Sequence, residues 1–200
     1  MANGRTDRTG KKKKAAERVF ETARDLFYKR GICGVGVDEI VRSAGVTKPS
    51  LYRAYDSKDD LVAACLNDMA NEGREAILSL VAMTPDEPDI QLRAILHYYA
   101  AKIECPDFRG CPLSNSAVEM PERGHPGHAV LQSCKSELRA LMTDISRRLR
   151  AREPEVLADG LLLLIEGAMA SHHIFGSQGP SLSLVATGEA LIAAQVLEGC

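Results

Sequence analysis

VDEIVRSAGVTKPSLYRAYDSKDDL, residues 37–61, is the stretch on which the reading of this chain turns. It sets two short helical patterns on either side of Ala44-Gly45-Val46 and follows them with a basic and aromatic cluster. In the first pattern Val37, Ile40 and Val41 fall at helical spacing, so a helix is expected over 37–44. Ala44 and Gly45 let a second helix approach closely, and Val46 can plug the crevice. That second helix is expected from about Thr47, whose hydroxyl can cap it, to Tyr55. Pro49 sits in its first turn, where a missing N–H is harmless. Two short helices joined by so tight a turn form a helix-turn-helix, whose second helix enters a major groove.

The chemistry of the second helix fits that use. Thr47, Lys48, Ser50, Tyr52, Arg53 and Tyr55 provide donors along one side, while Leu51 points back to the core. Lysine and arginine reach guanine edges or phosphates, and hydroxyls mostly serve phosphates. Val37 and Pro49, at the starts of the two helices, complete the candidate surface. Lys58 stands at the next helix start, where backbone N–H groups already favour a phosphate.

Working outward, residues 1–11 read as a flexible basic arm, 12–57 as the helix-turn-helix domain and 58–200 as a second domain. The first helix is expected from Lys12 to Arg30, with Ala16, Val19, Phe20, Ala23, Leu26 and Phe27 on one face and Gly31 ending it. Lys13 and Lys14, in the lysine run 11–14, are candidate DNA contacts directly ahead of that helix. Beyond residue 57 no useful strand-like alternation appears. Ser57 or Asp56 caps a helix to about Val81. Further helices are expected over about 89–104, briefly after Pro112, over 129–152, from Pro154 to Phe175, and from Ser181 to Leu197. The fold class is all-α, with nine or ten helices.

Charge supports this division. Residues 1–58 hold fourteen Lys/Arg against seven Asp/Glu, a net of +7, and the remaining eleven against twenty give −9. The whole-chain value of −2 therefore hides a basic N-terminal part suited to a polyanion and an acidic remainder repelled by one. No apolar run approaches a membrane span, and no apolar stretch follows the basic N-terminus, so neither a membrane partner nor a secretory signal is expected. The six cysteines lack disulfide-framework spacing, which fits a reduced, cytoplasmic setting. No Cys/His set has metal-ligand spacing, no cofactor motif is found, and neither a phosphate-binding loop nor a nucleophile–base pattern appears, so no metal, cofactor or enzymatic activity is expected.

The stretch GVGVDEIVRSAGVTKPSLYRAYDSKDDLVAACL resembles the DNA-binding domain of the tetracycline-repressor (TetR) family of bacterial regulators. Ile40, Ala44, Gly45, Val46, Thr47, Leu51, Tyr52, Tyr55, Ser57, Lys58, Leu61 and Leu66 stand in step with that family's pattern. Two positions depart from it. Gly36 replaces the Ser or Thr that often caps the second helix and touches a phosphate, and Ala54 replaces a common histidine. Behind the head, FRGCPLSNSAVE followed by His125-Pro126 and a long helix resembles one branch of the family more loosely.

The resemblance implies a palindromic double-stranded DNA operator, a homodimer, and a C-terminal domain that binds an unknown small hydrophobic or amphipathic effector, whose arrival releases a repressor. Small residues on the last two helices, among them Gly160, Gly167, Ala168, Gly188 and Ala190, fit a four-helix interface between two chains. They fit packing within one chain as well. Candidate effector contacts are His97, Tyr98, Phe108, Cys111, Leu113, Asn115, Met169 and His173, each of which also suits ordinary core packing. His172 and His173 are adjacent and so face different directions. Alternatives are a thiol-based redox sensor, using Cys105 and Cys111, and a DNA-binding protein without an effector.

Overall fold

The structure is a computed structural model and describes residues 5–120, 122 and 124–196. Among these it holds nine α-helices: α1 Arg5–Arg30, α2 Val37–Ala44, α3 Lys48–Leu51, α4 Lys58–Ala82, α5 Pro88–Ile103, α6 Pro112–Glu119, α7 Pro126–Arg148, α8 Pro154–Phe175 and α9 Leu184–Gln195. Short 3-10 turns, Gly176–Gln178 and Pro180–Ser183, join α8 to α9. The described residues contain no strand, only an isolated bridge between Ala151 and Val196. No helix of theirs is long and apolar enough to cross a membrane.

The chain divides into two units. Unit 1 comprises residues 1–70 and 112–131, and unit 2 comprises 71–111 and 132–200. In unit 1, α1 buries Val19, Ala23 and Phe27 along one stripe, and α2 and α3 pack against it with Ile40, Val41, Ala44 and Leu51. The start of α4 adds Leu61, Val62 and Leu66. Gly31 ends α1 in the left-handed conformation, φ 80°, which glycine adopts without steric cost. Ser57 starts α4: its hydroxyl accepts the Asp60 N–H at 3.0 Å and donates to the Asp60 carboxylate at 2.7 Å.

In unit 2, α5 and α8 pack with α9 around Leu92, Ile95, Leu96, Leu161, Ile165 and Ile192. The buried Gln91 amide donates to the carbonyls of Val81 and Thr84 at 2.9 and 2.8 Å and accepts from Arg148 at 2.6 Å. These bonds close the turn into α5. Gly160 and Gly188 serve contacts within the chain. A Cβ on Gly160 would lie 2.7 Å from Leu191, and one on Gly188 would lie 2.4 Å from Leu96.

Several boundaries differ from the sequence reading. Residues 5–11, expected in a flexible arm, continue α1, because Lys and Arg are good helix formers and the lone Gly10 costs only about 1 kcal/mol. Residues 1–4 lie outside the described residues. α3 ends at Leu51, not Tyr55; the chain stays wound through Ala54 N–H to Leu51 O at 2.8 Å and Tyr55 N–H to the same oxygen at 3.0 Å. The Thr47 hydroxyl makes no cap bond and instead lies 3.1 Å from the Ser50 hydroxyl. α7 starts earlier, with Pro126 in its first turn, and ends earlier, where Arg150 takes φ 57°. α9 begins at Leu184 because Pro180–Ser183 forms a 3-10 turn.

Candidate functional site

The turn between α2 and α3 is set by glycine. Gly45 adopts φ 61° and ψ 41°, the left-handed region in which a side chain is strained. Its N–H bonds to Arg42 O at 3.2 Å, and the Val46 N–H to Val41 O at 2.9 Å, closing the end of α2. The sequence reading missed a third element. The Arg18 guanidinium on α1 donates to Ala44 O and, at 3.2 Å, to Gly45 O. One charged side chain thus ties the first helix to the turn itself. The pattern contains no sign of this, because Arg18 sits beside the apolar stripe like any solvated residue.

Leu51 anchors α3 in the core, which leaves Thr47, Lys48, Pro49, Tyr52 and Arg53 exposed and Ser50 half-buried. These side chains form small hydrogen-bonded sets. Arg53 donates to the Ser50 hydroxyl at 2.8 Å, and Ser50 lies 3.1 Å from Thr47. Lys48 Nζ lies 2.8 Å from an Asp38 carboxylate oxygen on α2. That hydrogen bond, and then the charge behind it, raises the pKa of Lys48 above its ordinary value. Tyr52 has nearly half its surface exposed. Val37 and Tyr55 are half-buried, and burial raises the pKa of the Tyr55 phenol, so its hydroxyl remains a donor.

One of the expected basic contacts, Lys58, has partners within the protein. The Lys58 ammonium donates to Ile32 O at 2.7 Å and lies over the Phe27 ring, 5.9 Å from its centroid. Around it Ser57, Asp59 and Asp60 already occupy the positive start of α4. Lys58 therefore joins helix ends together, a role that spacing alone does not reveal. Lys14 is exposed, and the side chain of Lys13 lies outside the described residues.

Six of the eight candidate effector contacts lie in unit 2, and Leu113 and Asn115 in unit 1. Leu113 is buried and Asn115 exposed. Phe108 meets the His172 ring edge-on at 5.7 Å, and the buried Nδ1 of His172 has no hydrogen-bond partner among the described residues. Tyr98 stands edge-on to Tyr99 at 5.2 Å, and burial strongly raises the pKa of the Tyr99 phenol. Cys111 accepts from the Lys135 ammonium at 3.3 Å, and Lys135 also pairs with Glu166. Burial pulls the Lys135 pKa down, but Cys111 and Glu166 outweigh it and leave it raised. Met169 is buried, whereas His97 and His173 are exposed. Successive helical residues point about 100° apart, so His172 turns inward and His173 out. Cys105 is exposed.

Residues 15–65 match the family described as "Bacterial regulatory proteins, tetR family". The chain is 29% identical over 104 residues to the HTH-type transcriptional repressor DhaR of Mycobacterium sp. (strain GP1), covering 52% of this chain and about half, 51%, of DhaR. It is 28% identical over 144 residues to the HTH-type transcriptional activator FasR of Mycolicibacterium smegmatis, covering 71% of this chain and 64% of FasR. The structure resembles that of SCO4454, a TetR-family transcriptional regulator from Streptomyces coelicolor, with TM-score 0.85 and 28% identity over 92% of this chain and 97% of that one.

Proposed function

The chain belongs to the tetR family of bacterial regulatory proteins, and from that premise we infer that it is a cytoplasmic, homodimeric repressor that leaves its operator when a small molecule occupies unit 2. The observation that carries the DNA-binding part is α3 with the turn that follows it: Leu51 is buried while Lys48, Tyr52 and Arg53 are exposed, and Arg18 clamps the turn that leads into them. Thr47, Pro49, Ser50, Val37 and Tyr55 border that set, and Lys13 and Lys14 precede it on α1. The named repressor DhaR supports repression, and the named activator FasR makes the sign of regulation part of the test.

A lone helix-turn-helix reads one half-site, so a palindromic operator calls for two chains. α8 supports this with an open apolar line. Val156, Leu163 and Ile174 are exposed, and a Cβ on Gly167 would meet nothing within 4 Å. Two copies joined along that line would bury it as coiled-coil seams do. Phe108, His172, Tyr98 and Met169 support a largely apolar effector, with the His172 imidazole as the polar group among them. The role is regulatory and not enzymatic.

The test begins with duplex enrichment from a randomised pool. Wild-type protein is expected to select a palindrome, and Lys48→Ala or Tyr52→Ala to weaken its binding by about 1–3 kcal/mol without loss of helicity. Two variants that bind like wild type would refute the groove assignment. Transcription from a promoter carrying the palindrome then gives the sign. A thiol signal is a second reading, favoured by Cys111 beside Lys135. It requires that mild oxidation weaken DNA binding in wild type but not in Cys111→Ser.

A further inference from the structure

We propose that Asp38 is a specificity-determining residue that keeps Lys48 from phosphates and directs it to the acceptor edge of a guanine, an inference that rests on the DNA-binding reading above. Lys48 Nζ and Asp38 Oδ1 are 2.8 Å apart, bridging the first turn of α2 and the first residue of α3. The other acid of that turn, Glu39, pairs with Arg30 of α1. Asp38 is thus the α2 carboxylate that faces Lys48. Their side chains are 79% and 50% exposed, so the pair stands in solvent among the residues α3 displays.

An ammonium carries three donors and no acceptor. Asp38 engages one and leaves two. Guanine O6 or N7 is a neutral acceptor and takes a second without disturbing the pair. A phosphate bears a full negative charge and must approach beside the Asp38 carboxylate, so its attraction to Lys48 is offset by repulsion. Non-specific affinity arises from lysines neutralising phosphates. An acid at this position therefore weakens non-specific binding more than base reading. Because an exposed pair is weak, Lys48 is not locked away; the carboxylate biases which acceptor it takes.

The test compares full-length wild type and Asp38→Asn on the duplex that wild type enriches and on a scrambled duplex of equal length and composition, over a range of salt. Asn preserves size and removes charge. Binding to the scrambled duplex is expected to tighten on the order of three- to tenfold at low salt, with a salt slope steeper by up to about 0.9 for each lysine released onto a phosphate. Binding to the enriched duplex should change less, so the ratio of the two affinities falls. Combined with Lys48→Ala, Asp38→Asn should lose its effect on that ratio. Circular dichroism and thermal unfolding verify the fold, and Asp38→Ser serves as the second variant if Asn perturbs α2. Equal tightening on both duplexes, or an undiminished effect without Lys48, would overturn the inference, because Asp38 would then act as a general charge. An unchanged ratio would overturn it too. A wild-type protein that enriches no duplex would overturn the DNA-binding reading together with it.

Discussion

Arg18 and Gly45 are bound to each other's geometry: the guanidinium donates to Gly45 O at 3.2 Å, and a Cβ on Gly45 would lie 2.5 Å from Arg18 Nη2. The left-handed glycine makes the turn, and its missing side chain makes room for the arginine that holds it. Gly45→Ala is expected to destabilise the protein by about 1–2 kcal/mol, from the left-handed backbone plus the displaced guanidinium. In an Arg18→Met background the same change should cost less, because only the backbone strain remains. Urea unfolding of the four proteins measures this coupling. Strict additivity would show that Arg18 is a bystander.

Gly36 caps α2 with φ −92° and ψ 157°, an extended conformation open to any residue, and a Cβ there would meet nothing within 4 Å. Gly36→Ser should therefore fit without strain. Its hydroxyl is expected to cap an α2 N–H, stabilising the fold by a few tenths of a kcal/mol, roughly the measured difference between serine and glycine caps. It should also tighten duplex binding with no change in salt slope, since a neutral hydroxyl releases no counterion. A loss of stability in thermal unfolding would contradict the cap geometry.

Lys58→Met separates two roles of one lysine. Methionine keeps a flexible stem over Phe27 but gives up the bond to Ile32 O. Stability should fall by about 1 kcal/mol, the typical worth of such a bond. The salt dependence of DNA binding should stay unchanged, because the ammonium is already committed within the protein. A slope shallower by about 0.9 per lysine would instead mark Lys58 as a phosphate contact.

Cys65 is 1% exposed, and burial pushes its thiol from 9.0 up to about 12. The folded state retains this proton where the unfolded state loses it. Its contribution to stability is therefore complete below pH 9.0 and is lost as pH rises towards about 12. Cys65→Ala should flatten that alkaline decline in pH-dependent unfolding. At pH 8, a thiol reagent is expected to modify the exposed Cys33 and Cys105 well before Cys65, with peptide mapping as the measurement.

Much of the fold was legible from local pattern. The limits of α2, Val37–Ala44, and α8, Pro154–Phe175, follow from apolar periodicity bounded by glycine and proline. The α3 side chains were legible too, because Leu51 alone must turn inward and so defines the outward face. Their hydrogen-bonded partners were not. Asp38 and Lys48 are ten residues apart, Arg18 and Ala44 twenty-six, and Lys58 and Ile32 twenty-six.

Local pattern therefore sets the order of the helices, their buried faces and the turn between α2 and α3, though not every helix end, since each depends on residues within a few positions. Tertiary structure decided which polar groups meet. It gave Lys48 to Asp38, Lys58 to the Ile32 carbonyl, and Arg18 to the turn. It also decided what the small residues are for: Gly160 and Gly188 admit Leu191 and Leu96 of the same chain, while Gly167 stays open. Helical periodicity states which way a side chain faces relative to its own axis. The angle and height at which a second helix crosses that face come from packing, and a long polar side chain bonds to whatever that crossing brings within about 3 Å.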